Sequence, residues 1–226
     1  MNEWVLFFRA ILPEFVQGAR VTLQLTGVGL VMGFVLGLAA ALAKIYGGKL
    51  TRLIAVSYIE LFRGTPLLVQ LFLVYYGLPG LGLTFSRMAA AYLTMGLNSG
   101  AYQAEYLRGA IQSVGSGQMM AGRSIGMSRW MTIRHIILPQ ALRLVIPAWS
   151  NEPISLLKSS AVAFLIAVPD LMTKAKAIAA RTYDPIGSYL AVAVVYLVLV
   201  FAIGEGLKFI ERRLSLPGLD VQTRHT

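Results

Sequence analysis

Val21 to Ala43 runs without a single charged side chain. At ~1.5 Å per helical residue, that stretch is long enough to cross a ~30 Å hydrocarbon core, so it reads as a membrane-spanning helix. Within it, Gly33-Phe-Val-Leu-Gly37 forms a GxxxG face that permits close helix approach. That face can serve packing inside one chain or dimerisation.

The rest of the sequence agrees with a membrane solvent. Hydrophobic residues make up 57% of the chain and charged ones 13%, about half the charged fraction of a soluble domain. The net charge of +10 does not call for nucleic acid. No basic patch is interleaved with stacking aromatics, and lysine and arginine held beside the anionic cytoplasmic leaflet account for the excess. Cysteine is absent, which excludes disulfides and thiolate metal sites. His135 and His225 lack ligand spacing, so no metal site is expected. The start, MNEWVLFFRA, has an acid where a signal peptide has its basic region, so no cleavable leader is expected. No run matches GxxxxGK[ST], and the only Gly-Lys, Gly48-Lys49, is followed by Leu50. The chain therefore hydrolyses no nucleotide itself and carries no recognisable nucleophile motif; it is not an enzyme.

In chain order, residues 1–20 place Trp4, Phe7, Phe8, Ile11, Leu12, Phe15 and Val16 largely on one face, the pattern of an interfacial helix before the first span. Residues 21–213 form the transmembrane domain and 214–226 a cytoplasmic tail. The second span covers about Leu53 to Gly77 and is kinked at Pro66. The third covers about Met88 to Gln112. The fourth starts near Gln140 and is broken by Pro147 and Pro153. Residues 169–184 form an outer, partly helical connection, and the last span covers Pro185 to Gly204. These elements make an all-α integral membrane protein with about five transmembrane helices. Most of the twenty Lys and Arg fall at ends assigned to the cytoplasm, so the N-terminus is expected outside and the C-terminus inside.

Charges inside spans are costly and mark function or pairing. Glu60 and Arg63 lie one turn apart and are expected to form an ion pair or gate. Glu105 and Arg108 repeat that spacing, and the two pairs are expected to meet. Along the fourth span Glu152 falls roughly 18 Å from Gln140 and Lys158 roughly 27 Å, near mid-depth and in the outer half. With Asn98, Ser99, Tyr102, Ser159 and Ser160 they form a candidate transport site. An amino acid zwitterion needs an anionic partner, which Glu152 supplies, and a cationic one, which Lys158 supplies. The competing reading is that both charges only stabilise helix packing.

The longest polar interruption is Gly117 to Pro139, GQMMAGRSIGMSRWMTIRHIILP, within a loop spanning 115–139. It holds Arg123, Arg129, Arg134 and His135, no acid, and apolar residues at helical spacing broken near Gly126. A basic, partly apolar surface of this kind suits docking of a soluble partner. Ala121-Gly122, then Gly126, then Ile136 and Leu138-Pro139 resemble the EAA loop of the membrane subunits of ABC importers. Glu60-Leu-Phe-Arg-Gly-Thr-Pro-Leu-Leu-Val-Gln70, Asn98-Ser-Gly-Ala-Tyr-Gln-Ala-Glu105, Asn151-Glu152 and Lys158-Ser-Ser160 resemble the polar-amino-acid permease branch, of histidine, glutamine or arginine type. The glutamate that usually opens the loop is Met120 here.

That resemblance, over about Gly18 to Arg213, implies the type I ABC importer transmembrane fold in a bacterial inner membrane. It implies a second, identical or homologous permease subunit and an amino-acid-binding protein outside. It also implies a separate ATPase subunit, with ATP and magnesium bound there, docking on Ala121, Gly122, Arg123, Gly126, Arg129, Trp130 and Pro139. Two other functions fit the composition. One is a stand-alone proton-coupled secondary transporter using Glu60, Glu105 or Glu152. The other is a scaffold or channel subunit without substrate.

Overall fold

The computed structural model describes residues 3–214, and among them there is no strand. Eleven α-helices follow in order: α1 (Glu3–Tyr46), α2 (Lys49–Gly64), α3 (Leu67–Phe72), α4 (Arg87–Ser113), α5 (Ser116–Ser124), α6 (Arg129–Thr132), α7 (Leu138–Leu144), α8 (Ile146–Trp149), α9 (Asn151–Ser159), α10 (Leu171–Thr182) and α11 (Pro185–Leu214). Wider π turns at Leu73–Gly77 and Ile133–Ile137, and tighter 3-10 turns at Leu78–Leu81 and Ser160–Ile166, extend or join them.

Two helices are long and apolar enough to cross a bilayer unbroken, Ile11–Tyr46 and Pro185–Arg213. Two further pairs of helices are long and apolar enough only when taken together, and each pair is bent. Lys49–Gly64 meets Leu67–Leu81 at 106°, and Ile146–Ile166 meets Leu171–Thr182 at 53°. The fifth element is α4, whose 27 residues give ~40 Å of helix. Its middle is too polar to pass as a lone apolar span, because it is the helix the others surround.

Several expectations change. Residues 3–46 form one helix, so no break separates an interfacial segment at 1–20 from the first span. Ile11 and Phe15 pack instead on Leu171, Ala175 and Ile178 of α10. The second span is not merely kinked at Pro66. Proline has no N–H and pushes its predecessor into extended geometry. Thr65 accordingly sits at φ −118°, ψ 144°, and the chain turns sharply. The connection over residues 169–184 holds a capped helix: the Asp170 carboxylate accepts from Thr173 N at 2.9 Å. Arg181 then reaches Glu14 at 2.6 Å and ties α10 to α1. The tail beyond residue 214 lies outside the described residues.

The centre is the crossing of α1 on α4. A methyl group added at Gly37 would stand 2.9 Å from Gly100 O and 3.0 Å from Ala104 N. One added at Gly33 would meet the Gln103 amide and Ser99 hydroxyl. Both glycines are buried, so the GxxxG face is spent on packing within the chain. Among the described residues four apolar cores pack along the bundle: Leu25, Met95 and Leu156 in one, Leu107, Ile133 and Ile137 in the next, Phe15, Leu171 and Val192 in the third, and Ala40, Ile59 and Ala104 in the fourth.

Because the obstacles at Gly37 are backbone atoms, Gly37→Val should cost about 1–3 kcal/mol or more. Gly109→Ala, where nothing lies within 4 Å of the added carbon, should be near neutral. Thermal unfolding of the detergent-purified variants tests this; equal midpoints would refute the close α1–α4 contact.

Candidate functional site

The break between α2 and α3 builds the site. In a bilayer no water rescues freed peptide groups, so broken helices persist only where side chains or a cavity receive them. Here the Gln70 amide donates to Phe62 O at 2.9 Å, Thr65 O at 3.0 Å and the Thr65 hydroxyl at 2.8 Å. Asn98 of α4 donates to Phe62 O at 3.1 Å and to Gln70 Oε1 at 3.0 Å. Asn98 therefore pins α4 to the break. Gln70 is the residue that sequence reading missed; its signal was a lone amide in an apolar run just after a helix-breaking proline.

Beside the break lies a cavity of about 470 Å³, within the ordinary range for small-molecule sites. Arg63 to Leu67 form one wall, Asn98, Tyr102 and Tyr106 of α4 a second, and Glu152, Ser155 and Ser159 of α9 the third. Tyr106 and Ser155 were not anticipated. Tyr106 follows Tyr102 by four residues and shares its helical face; Ser155 follows Glu152 by three.

Glu152 is 5% exposed. Its Oε1 accepts from the Ser99 hydroxyl at 2.6 Å, Ser99 accepts from the Gln103 amide at 2.9 Å, and Gln103 Oε1 accepts from Trp149 Nε1 at 2.8 Å. A second bond from Gln103 to Leu30 O at 3.1 Å anchors this relay on α1. The other carboxylate oxygen has no protein partner among the described residues and opens onto the cavity. Across from it, the Arg63 guanidinium lies over the Tyr102 ring, 5.4 Å from its centroid. A cation held by its face keeps its edge donors free.

Four expectations fail in geometry. Lys158 is exposed and lines a different, apolar groove with Tyr189, Val192 and Tyr196. Six residues after Glu152 it points to another face, and the prolines do not bring the two together. Ser160 is buried and donates back to Leu157 O at 2.7 Å, so it offers nothing to the cavity. Glu60 and Arg63 form no ion pair; Arg63 takes the tyrosine face instead. The two charge pairs do not meet either. Glu105 binds Arg108 at 2.8 Å and Lys44 of α1 at 2.7 Å, because α1 packs nearer to it than α2 does.

The second surface is the segment between α4 and α7. Just beyond α5 stands Gly126, whose φ of +86° is a left-handed conformation that suits glycine. Gly126 N and Met127 N bond back to Arg123 O and Gly122 O, and Ser128 caps α6 at Met131 N. Gly122 is buried against the Thr132 side chain, 2.7 Å from where a methyl would stand, so α5 packs tightly on α6. The outer side of this unit exposes Met120, Ile125 and Trp130. Ala121, Arg123, Arg129 and Pro139 are exposed too. Arg129 lies over Tyr46 at 5.2 Å, which ties α6 to the C-terminal end of α1.

Comparison with known proteins agrees with this arrangement. Residues 29–216 match the family described as "Binding-protein-dependent transport system inner membrane component". The glutamine transport system permease protein of Escherichia coli (strain K12) is 37% identical over 216 residues, 95% of this chain and 98% of that one. The L-cystine transport system permease protein of Bacillus subtilis (strain 168) is 38% identical over 213 residues, 94% of this chain and 91% of that one. A crystal structure of an amino acid ABC transporter with histidines superposes with a TM-score of 0.85 at 39% identity, covering 94% of this chain and all of that chain. An inward-facing methionine ABC transporter shares the fold, with a TM-score of 0.74 at 23% identity over 96% of this chain. A stand-alone secondary transporter is set aside by these matches. The chain belongs to the family of inner membrane components of binding-protein-dependent transport systems, the permease subunits of ABC importers.

Proposed function

We propose that this permease carries a polar amino acid through the cavity between the α2–α3 break, α4 and α9. The observation behind this reading is the pairing of opposite charges across one small cavity. The free oxygen of Glu152 suits an ammonium, a cationic side chain or an amide. The edge of Arg63 suits a carboxylate, taking the place that sequence reading gave to Lys158. The turn at Gly64–Pro66, Asn98 and Ser159 complete the lining. The amino acid and glutamine named for the relatives support the substrate class.

In this reading the 117–139 segment docks on a separate ATPase subunit, which holds the nucleotide and its magnesium. A second permease subunit sits alongside, and a binding protein delivers ligand to the outer face. The N-terminus lies outside and the C-terminus in the cytoplasm, in line with the basic bias of the α4–α7 segment. ATP binding closes the ATPase pair and moves α5 and α6. Because Gly122 packs on Thr132 and Arg129 on Tyr46, that motion reaches α7 and α1 as rigid bodies and rocks the spans between inward and outward access.

Two measurements test the two surfaces. In Glu152→Gln the amide oxygen still accepts from Ser99, so the fold persists while the charge is lost. A charge-assisted hydrogen bond contributes about 1.5–3 kcal/mol. ATP-driven uptake in proteoliposomes should therefore lose roughly 10- to 100-fold in apparent affinity for a substrate that presents an ammonium there. Unchanged uptake would remove Glu152 from the pathway. At Gly126 the surface is open, so Gly126→Asp should insert normally, at a backbone cost of about 1–2 kcal/mol. It should still uncouple ATP hydrolysis from uptake by placing an acid in an acid-free basic surface. Gly126→Asn shares the backbone strain without the charge and should be milder. Normal ATP-driven uptake by the aspartate variant would overturn the docking reading.

A further inference from the structure

The bonds behind Glu152 run in one direction, and the reason lies at two fixed ends. Trp149 Nε1–H only donates and Leu30 O only accepts, whereas the Gln103 amide, the Ser99 hydroxyl and a carboxyl group can each do either. Gln103 therefore has one permitted orientation. Its oxygen faces Trp149 Nε1 at 2.8 Å, and its NH2 faces Leu30 O at 3.1 Å and Ser99 Oγ at 2.9 Å. Ser99 has a single hydrogen to give. With Gln103 donating to its oxygen, that hydrogen is left for Glu152 Oε1, 2.6 Å away. Turned over, the amide would set its oxygen against Leu30 O and draw the Ser99 hydrogen to itself. Glu152 would then face lone pairs, and could satisfy that contact only by carrying a proton and giving up its charge.

We propose that Trp149 is a positioning residue for the transported ligand: through Gln103 and Ser99 it keeps Glu152 an anionic acceptor towards the cavity. The proposal rests on the reading that Glu152 meets the ligand. None of Trp149, Gln103 and Ser99 lines the cavity. Ser99 and Gln103 are fully buried, so a bond lost between them is not replaced by solvent. The packing leaves room for these side chains and little else. Gly33 of α1 lies against them, and a methyl there would stand 2.6 Å from Gln103 Nε2 and 2.9 Å from Ser99 Oγ. Trp149 reaches Gln103 from α8, 46 residues away in sequence. Its ring packs on the core of Leu107, Ile137 and Val145, which holds the N–H in place. Selection follows from the direction of the bonds. A ligand that brings an ammonium, a cationic side chain or an amide N–H to Glu152 is accepted, and one that brings a carboxylate there is refused.

Trp149→Phe keeps an aromatic ring in the core and removes the N–H. ATP-driven uptake is measured in proteoliposomes holding the whole transporter, with whichever labelled common amino acid or cystine the wild type takes up fastest. The apparent KM should rise roughly three- to tenfold, the range of one neutral hydrogen bond, with the maximal rate moved less. Ser99→Ala removes a bond to a charged group and should raise KM roughly tenfold or more. On the Ser99→Ala background, Trp149→Phe should add less than about twofold, because its route to Glu152 is already cut. A merely structural role would add its full effect on both backgrounds. Should Trp149→Phe fail to insert, Gly33→Ala presses on the same two side chains from α1. It should give the same rise and the same lack of additivity. An unchanged KM, or equal increments with and without Ser99, overturns the proposal. Glu152→Gln separates it from the reading beneath. If that variant raises KM and Trp149→Phe does not, the role of Trp149 alone falls. If neither does, or if the wild type takes up none of the amino acids, both fall.

Discussion

A polypeptide in hydrocarbon must satisfy its own backbone, and that constraint governs this structure at one place above all, the turn from Gly64 to Leu67. Pro66 ends α2 and leaves the carbonyls of Phe62 and Thr65 without helical partners. Gln70 and Asn98 take them. These bonds fix the angle between α2 and α3, hold α4 against the break, and leave a polar hollow beside it. The site is a by-product of repairing the helix.

The second dependence is on close approach. α4 can stand at the centre because α1 meets it through glycines, with backbone against backbone at Gly37 and Gly100. That proximity lets Gln103 reach Leu30 O while it supports Ser99, and so holds one oxygen of Glu152. One oxygen of this buried carboxylate is thereby anchored, and the residue lines the cavity. Towards the C-terminal ends of the same two helices, Lys44, Glu105 and Arg108 clamp α1 to α4. Burial of these three is only partial, so the clamp contributes modestly to stability and fixes register instead.

The α5–α6 unit is held together from within. Capping by Ser128, the left-handed Gly126 and the tight seat of Gly122 on Thr132 make it a compact block rather than a loose loop. Its exposed Met120, Ile125 and Trp130 are an apolar knob in a cationic surround.

Some of this was settled by the sequence alone. Charge-free runs and helix-breaking prolines fixed an all-helical membrane protein and the position of its breaks, because length against bilayer thickness and the missing proline N–H are local facts. The family motifs carried the class of transporter, and mid-span Glu152, Asn98 and Tyr102 announced themselves by the cost of polar groups at that depth. Tertiary structure alone decided which of these side chains share a space. Lys158 and Ser160 flank Ser159 in sequence, yet helix rotation sends them elsewhere. Arg63, expected beside Glu60, crosses to Tyr102, and Glu105 finds Lys44 from a helix 61 residues away. Which helices touch depends on where small residues let backbones approach, and no single segment carries that information.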